Sequence, residues 1–338
     1  MKKLILTVLA FCPVLALAQA FPTKPIRVIV PFGPGGVADI TARVVAPKIS
    51  EALGQQIVIE NKPSAGGIVA GQEVARAAPD GYTLLLINNG TAVSKAQFKS
   101  LPYEPSAFEM ISTIGFFPLV IMTDSKAPYR NLQDLVAEAK NNPGKLNVGT
   151  IGIGSTQNLA AELFKSTTGV NFQIIPYKAT GEVVTAAKSG DAAVIFEFLA
   201  PMTSHIRSGN LRPLAITVAK RFSTIPEVPT AIEGGIAGYD VASWNGLAAP
   251  AKTPRAVLER IHQEVVKALS APDIRKRLAE LGVEARATPP DEMRKFFAAE
   301  TARWAKVVSS LLSPGGSLYL LEGHPSLMVL DEKTPGLQ

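Results

Sequence analysis

The sequence predicts an α/β fold with mostly parallel sheets, divided into two domains that two crossover strands join. Runs typical of β-strands alternate with patterns typical of helices along most of the 338 residues, as in sheets covered by helices. Two apolar runs, Leu119–Thr123 and Leu214–Val218, enclose a block of about 95 residues that has its own strands and helices. A block of that size is large enough to be a domain. We therefore expect these two runs to pair and to act as a double hinge.

The residues before the first of these runs predict three strands and two helices. Pro47 lies inside the first helix, where a proline is expected to cause a kink. The second helix ends at Ala78-Pro79-Asp80-Gly81, a turn signature. The predicted strands are Ile26–Pro31, Gln56–Glu60 and Tyr82–Ile87, and the predicted helices are Asp39–Leu53 and Gly67–Ala77.

The enclosed block and the residues after it continue the same alternation. In the block we predict helices at Leu132–Asn141, Ser155–Thr168 and Glu182–Ser189, and strands at Leu146–Thr150, Phe172–Pro176 and Ala192–Phe196. A strand near Asn245–Ala249 and helices at Pro254–Leu269, Pro272–Leu281 and Pro290–Ser310 follow. We expect the last helix to return and pack on the first domain.

This organisation predicts a discontinuous first domain of residues 21–122 and 220–310. Residues 123–219 form the second domain. Residues 311–338 form an atypical tail, because Pro314-Gly315-Gly316 interrupts the helical pattern and no sustained period follows.

The first twenty residues are typical of a secretion signal. Two lysines precede the apolar run Leu4–Leu17, and Ala18-Gln19-Ala20 is a small-x-small cleavage site. The run is too short to cross a membrane, so we expect cleavage after Ala20 and export of the mature chain; an uncleaved anchor is the alternative. Cys12 is the single cysteine, so the mature chain has no disulfide and no site of four cysteine ligands.

Composition narrows the function classes. Removal of the leader lowers the formal net charge from +6 to +4, because the leader carries two lysines. The chain has 18% charged and 47% apolar residues, as an ordinary globular protein with a core does. It contains no run of five like charges, so nothing indicates a nucleic-acid partner.

A glycine-rich turn between the first strand and the first helix is the leading candidate site. Its residues are Phe32, Gly33, Pro34, Gly35, Gly36 and, at the start of the helix, Asp39. Such a turn lets main-chain N–H groups and the positive helix end face an anion. Two other interpretations stay open. In the first, the spacing Gly33-x-Gly35-x-x-Ala38 with Glu60 at the end of the next strand matches a dinucleotide fingerprint. In the second, the turn only joins the strand to the helix, with Asp39 as N-cap.

A second glycine-rich turn follows a strand in the enclosed block. Its candidate residues are Gly154, Ser155, Thr156 and Asn158. The turn lacks the lysine of a phosphate-binding P-loop, and its hydroxyls beside free helix N–H groups suit a carboxylate. Helix capping alone is the alternative. If the two turns face each other, a molecule with two acidic ends can bridge them.

Other candidate residues follow two further strands. Tyr177 offers a hydroxyl or a ring, and Lys178 is either a surface charge or a contact. Glu197 follows an apolar strand, where it can receive an amino or hydroxyl group or pair with a neighbouring arginine. His205, His262 and His324 have no metal or triad spacing, and no nucleophile elbow occurs. We therefore expect no metal, no cofactor and no enzyme activity.

The chain resembles the substrate-binding receptors of tripartite tricarboxylate transporters, the Bug-type family, over about residues 1–310. The segment Phe21-Pro-x-Lys-Pro-Ile-Arg-x-x-Val-Pro-Phe-x-Pro-Gly-Gly-x-x-Asp39 is similar to the opening of the mature receptors. The similarity continues through Glu60-Asn-Lys-Pro-x-Ala-Gly-Gly67, Ala78-Pro-Asp-Gly-Tyr82, Leu101-Pro-Tyr103, Gly154-Ser155, Pro176-Tyr177-Lys178, Phe196, His205-Ile206, Ala219-Lys220-Arg221, Pro226-x-Val-Pro-Thr230, Trp244-x-Gly246 and Trp304-Ala-Lys306.

This resemblance implies a periplasmic-binding-protein fold of the type II-like class, with two crossover strands, that closes on a small carboxylate. It implies that the loop 32–39 holds one carboxylate through main-chain groups and ordered waters, and that residues 154–158 take the distal part of the ligand. The expected partners are the membrane permease subunits of a tripartite transporter, and we expect a monomer. An exported dinucleotide-dependent oxidoreductase and a ligand sensor for a two-component system are the alternative functions.

The chain departs from the family pattern at three places. Asn158 stands where the family usually has His, and Glu197-Phe198 stands where it has Asp-Asn. Phe198 exchanges an amide for an apolar ring, so a more apolar or aromatic acid is a possible ligand. Residues 311–338 do not resemble the family's C-terminus.

Overall fold

The computed structural model describes residues 21–98, 100–152 and 155–312. The predicted secretion signal with Cys12, the candidate residue Gly154 and most of the atypical tail lie outside the described residues. Within the described part of the chain, none of the helices is long and apolar enough to cross a membrane.

Strands and helices alternate along the described chain, as the sequence predicts. The strands are β1 Ile26–Val30, β2 Ile57–Asn61, β3 Thr83–Asn88, β4 Phe108–Asp124, β5 Asn147–Ile151, β6 Gln173–Tyr177, β7 Val194–Phe198, β8 Leu211–Ile216, β9 Ala242–Pro250 and β10 Glu284–Ala285. The helices are α1 Val37–Leu53, α2 Ile68–Ala75, α3 Asn89–Gln97, α4 Leu132–Asn141, α5 Thr156–Thr168, α6 Thr180–Ser189, α7 Leu199–Arg207, α8 Arg255–Ser270, α9 Pro272–Glu280 and α10 Pro290–Leu312. The helix α1 continues through Pro47.

The strand β4 joins the two halves of the molecule. The strand order is β2-β1-β3-β9-β4-β7-β5-β6, with β10 and β8 also paired to β4. Residues 108–118 of β4 pair with β9 in the first half, and residues 119–124 pair with β7 and β8 in the second. The antiparallel pairing of β4 with β8 confirms the prediction that the two apolar runs pair with each other.

Both halves are α/β layers, as predicted. In the first half, β1, β2 and β3 are parallel, and α1 and α8 pack on the sheet through a shared apolar core. In the second half, β5 is parallel to β6 and β7, and α5 packs on them through Leu159 and Phe164. Parallel strands end at the same edge of a sheet. In each half, the helices that follow these strands therefore begin at that edge.

The long helix α10 packs on both halves, whereas the sequence predicts contact with the first. Its early residues Met293 and Phe297 join the core that contains Trp244 of β9. Its later residues Trp304 and Val308 join the core of the second half. The apolar residues of α10 continue beyond the core of the first half, so its later turns pack on the second half.

The segment between β8 and β9 packs on the second half. Tyr239 is fully buried there, and its hydroxyl donates to the carbonyl of Ala160 in α5 at 2.7 Å. Ala231 and Ile236 belong to the same core. The domain division at 123 and 219 stays a prediction, and this packing favours a second boundary closer to 241.

Candidate functional site

A cleft with a volume of about 1190 Å³ lies between the two halves. Five of the strand-to-helix junctions line it: β1 to α1, β3 to α3, β5 to α5, β6 to α6 and β7 to α7. The first N–H groups of a helix have no partner within the helix, and its N-terminus carries a partial positive charge. Five such helix starts around one cavity make its wall a donor surface for an anion.

The first glycine-rich turn lines the cleft as predicted, through Phe32, Gly33, Pro34, Gly35 and Gly36. Gly35 has a φ of +83°, which only glycine adopts readily. Gly36 is the N-cap of α1. The N–H groups that follow it therefore have no partner within the helix and lie at the cleft wall.

Asp39 lies behind this turn and does not line the cleft. It is 2% exposed, and its carboxylate accepts hydrogen bonds from Gly35 N–H (2.9 Å), Arg43 Nε (3.0 Å) and Asn61 Nδ2 (2.9 Å). Burial alone would raise the pKa of Asp39, but these hydrogen bonds hold it below its ordinary value. Asp39 therefore stabilises the turn from inside, and Gly36 rather than Asp39 is the N-cap.

The second turn lies on the opposite half of the cleft. It has features of both interpretations, the anion site and the helix cap. Ser155 and Thr156 line the cleft. The Ser155 hydroxyl caps α5, because it accepts the Asn158 N–H at 3.1 Å and donates to the Ile151 carbonyl at 3.0 Å. Asn158 is buried and does not line the cleft. The N–H groups of Thr156 and Gln157 thus remain as the donors of this turn.

Glu197 lines the cleft and is 1% exposed. Its carboxylate accepts Gln157 Nε2 at 2.8 Å, Phe198 N–H at 2.8 Å and Thr180 Oγ1 at 3.1 Å. Burial raises the pKa of Glu197, and these hydrogen bonds offset part of the rise. The chain itself thus supplies the donors that the sequence analysis expected from a ligand or a neighbouring arginine.

An apolar patch lies beside Glu197. Phe198 lines the cleft, and its ring meets that of Phe117 edge-on at 6.4 Å. Phe198 also packs against the main cores of both halves. Tyr177 at the end of β6 does not line the cleft, whereas the neighbouring Lys178 does.

Several cleft residues escaped the sequence analysis. Gln157 lies in the loop 154–158, but its hydrogen bond to Glu197, which is distant in sequence, was not predicted, and neither was that of Thr180. A second group lies on the first half, where β3 ends and β9 begins: Asn88, Asn89, Ser243 and Asn245. Asn88 and Asn89 could have been recognised from the sequence, because they form a polar pair directly after the apolar run of β3.

The charges around the cleft are few. Among the described lining residues, Lys178 is the single cation, and Glu197 and Glu280 are the acids. Within the described residues there is no group of three or more His, Cys, Asp or Glu placed to hold a metal ion. Glu60, which a dinucleotide site would need for the ribose, is held by Arg27 through Nε at 2.6 Å and Nη2 at 2.7 Å and does not line the cleft.

Comparison with known proteins identifies the family. The model of the tripartite tricarboxylate transporter family receptor matches residues 41–312. Protein BugT of Bordetella pertussis is 36% identical over 294 residues, which cover 86% of this chain and 90% of BugT.

Two solved structures have the same fold. MatC from Rhodopseudomonas palustris with bound malate is 31% identical, with a TM-score of 0.72 over 85% of this chain and 100% of MatC. R. palustris Rpa4515 with adipate is 32% identical, with a TM-score of 0.75 over 86% of this chain and 98% of Rpa4515. This chain belongs to the family of tripartite tricarboxylate transporter receptors, the periplasmic solute-binding proteins that include BugT.

Proposed function

We propose that this protein captures a small carboxylate in the cleft and delivers it to the membrane permease subunits of a tripartite transporter. The observation that carries this proposal is the convergence of five helix N-termini on one cavity that has a single lysine among its described lining residues. Neutral main-chain donors and helix dipoles hold a small anion without the flexibility of long charged side chains.

The site suits an acid with an apolar or extended body. The carboxylate binds where the turn 33–36 leads into α1, at the N–H groups that have no partner within the helix, and the distal part reaches the start of α5 across the cleft. Phe32, Phe117 and Phe198 supply apolar surface between these two points. The malate and adipate in the structures of MatC and Rpa4515 support a carboxylate ligand.

Closure of the two halves completes the capture. Within the described residues, β4 and the segment between β8 and β9 connect the two sheets, and α10 packs on both halves, so rotation of the halves would occur about these connections. A ligand that contacts both halves stabilises the closed state by its differential affinity for it. We propose that the protein works as a periplasmic monomer, exported with the leader of residues 1–20.

A binding panel tests this function. Isothermal titration of the mature chain (residues 21–338) uses mono-, di- and hydroxycarboxylic acids of two to ten carbons, aromatic acids and NAD(H). We expect at least one acid to bind with one site per chain and a dissociation constant in the micromolar range or below. At a hundredfold excess over that constant the ligand adds about 2.7 kcal/mol to the free energy of unfolding.

Three outcomes contradict the proposal in whole or in part. NAD(H) binding without any acid would favour the exported oxidoreductase. If no acid binds although the protein unfolds cooperatively and is therefore folded, the proposed function as a carboxylate receptor is wrong. If the protein binds an acid but captures a sensor-kinase domain and not permease subunits, its function is ligand sensing for a two-component system and not delivery to a transporter.

A further inference from the structure

Three asparagines form a neutral polar wall on the first half of the cleft. Asn88 ends β3, Asn89 begins α3, and Asn245 lies in β9 directly opposite Asn88 in the antiparallel pair. All three line the cleft, and they are 3%, 3% and 2% exposed. We refer to Asn88, Asn89 and Asn245 as the asparagine wall.

The hydrogen bonds of the wall fix which amide atoms remain available. Asn88 Oδ1 accepts the Thr91 N–H at 3.3 Å as the N-cap of α3. A reversed amide would oppose its NH2 group to that N–H, so the Asn88 Nδ2 is the free end. Within the described residues, neither Asn88 Nδ2 nor Asn245 Nδ2 has a hydrogen-bond partner.

Asn89 has the opposite polarity. Its Nδ2 donates to the Ala242 carbonyl at 3.0 Å, which leaves its Oδ1 as an acceptor without a partner among the described residues. The wall therefore presents two donors and one acceptor. Buried amide atoms without partners are rare, because each such group loses its hydration without compensation.

This donor and acceptor set matches a hydroxyl group. A hydroxyl accepts two hydrogen bonds and donates one. A carboxylate has no hydrogen for Asn89 Oδ1, and an ammonium has no lone pair for Asn88 Nδ2 and Asn245 Nδ2. The wall and the anion-binding turn 33–36 belong to the same half, so one ligand can reach both.

We propose that the asparagine wall binds a hydroxyl group of the ligand and makes this receptor selective for hydroxy acids over the same acids without the hydroxyl. The inference rests on the proposed function, because it takes a carboxylate at the turn 33–36 as given.

Matched pairs of acids test the inference on the wild-type mature chain. Each pair differs by one hydroxyl: succinate and each enantiomer of malate, glutarate and 2-hydroxyglutarate, butyrate and 3-hydroxybutyrate. We expect at least one hydroxy acid to bind about tenfold or more tightly than its partner, because sites built around a hydroxyl reject analogues that lack it.

Two variants assign the preference to the wall. Asn88→Ser keeps a capping oxygen for α3 but removes the amide donor, and it should reduce the preference for the hydroxyl about fivefold or more. Asn131→Ser is the control, because Asn131 caps α4 in the same way, through the Asp134 N–H at 2.8 Å, and does not line the cleft. Asn245→Leu removes the second donor and covers the case in which Asn88→Ser fails to fold.

The outcomes separate this inference from the proposed function. Equal binding of both members in every pair would overturn the selectivity and leave the carboxylate receptor intact. A hydroxyl preference that survives both wall variants would assign it to other residues and also overturn the inference. No binding by any acid would contradict the proposed function itself.

Discussion

At the scale of single residues, two buried carboxylates hold the cleft wall through hydrogen bonds to the chain. Asp39 connects the turn 33–36 to Arg43 and Asn61, and Glu197 connects three elements through Gln157, Thr180 and its own neighbour's N–H. Both hold donors of the cleft wall in place. We therefore expect both to affect ligand binding through the donors that they position.

We predict that Asp39→Ala lowers the free energy of unfolding by about 1–3 kcal/mol, because the Gly35 N–H and the Asn61 amide lose a buried acceptor. Ligand affinity should fall as well, since the turn is no longer held. Asp134→Ala is the matched control: Asp134 also accepts the N–H four residues before it, from Arg130 at 2.8 Å, in an exposed turn outside the cleft. Urea unfolding and titration with the best acid measure both effects. Equal losses of affinity in the two variants would show that Asp39 has no specific role in the turn.

We predict that Glu197→Gln changes the pH dependence of stability. Burial raises the pKa of Glu197 above the ordinary value of 4.5, although hydrogen bonds from Phe198, Gln157 and Thr180 offset part of this. The protonated side chain therefore contributes its full stabilisation at pH values below the ordinary pKa of 4.5. This contribution is lost as the pH rises through the raised pKa of the folded protein. Glutamine does not titrate, so the variant should lack this loss.

Urea unfolding of both proteins between about pH 4 and pH 8 measures this difference. The free energy of unfolding of the wild type should fall relative to that of Glu197→Gln as the pH rises. Contributions from Asp39 and the other carboxylates are common to both proteins and cancel. Parallel curves over the whole range would mean that burial does not raise the pKa of Glu197.

At the scale of elements, the site consists of junctions between strands and helices, and the turn before α1 needs a glycine at position 35. Gly35 has a φ of +83°, and a Cβ placed there meets no atom within 4 Å. A substitution therefore acts through backbone strain and not through a steric clash. The direction of the N–H groups at the start of α1 depends on this strain-free turn.

We predict that Gly35→Val weakens binding of the best acid at least about tenfold, because a β-branched residue disfavours positive φ and the turn reorganises. Gly54→Val is the matched control, since Gly54 has a φ of +68° at the other end of α1 and also has no atom within 4 Å of an added Cβ. Both variants should lose comparable stability in urea unfolding. If Gly54→Val loses as much affinity as Gly35→Val, general destabilisation explains the effect and the turn does not bind the ligand.

The sequence predicts the elements with strong local signals and misses those that depend on tertiary contacts. The bounds of α4 agree fully with prediction, because Asn131 caps it and its apolar residues recur at helical spacing. The helix α3 was not predicted, because it begins directly after β3 without a break and has a weak apolar pattern. The strand β4 is 17 residues long because both sheets use it, which a local pattern does not reveal.

The candidate site shows the same division. The glycine-rich turn was recognisable because positive φ and strand-to-helix order are local properties. The asparagine wall was not, because Asn88 and Asn245 meet only when β3 pairs with β9. The hydrogen bonds that hold Asp39 behind the turn were not predicted, because its partner Asn61 comes from the end of β2.

At the scale of the whole molecule, we propose that one cleft binds the ligand and that the two halves close by rotating about the segments that connect them. The helix α10 and the ring of Phe198 contact the cores of both halves, so they couple the halves that the ligand brings together. A ligand bound at the turn 33–36 and at the start of α5 would contact both halves directly. Its position is therefore the central claim.

A crystal structure of the mature chain with its tightest-binding acid tests that claim most directly. The account predicts one carboxylate within hydrogen-bond distance of main-chain N–H groups at the turn 33–36 and the start of α1, and the distal part of the ligand against the start of α5. It also predicts that Glu197 keeps its hydrogen bonds to Gln157 and Thr180. A ligand bound outside the cleft, or a carboxylate held mainly by Lys178, would contradict the account.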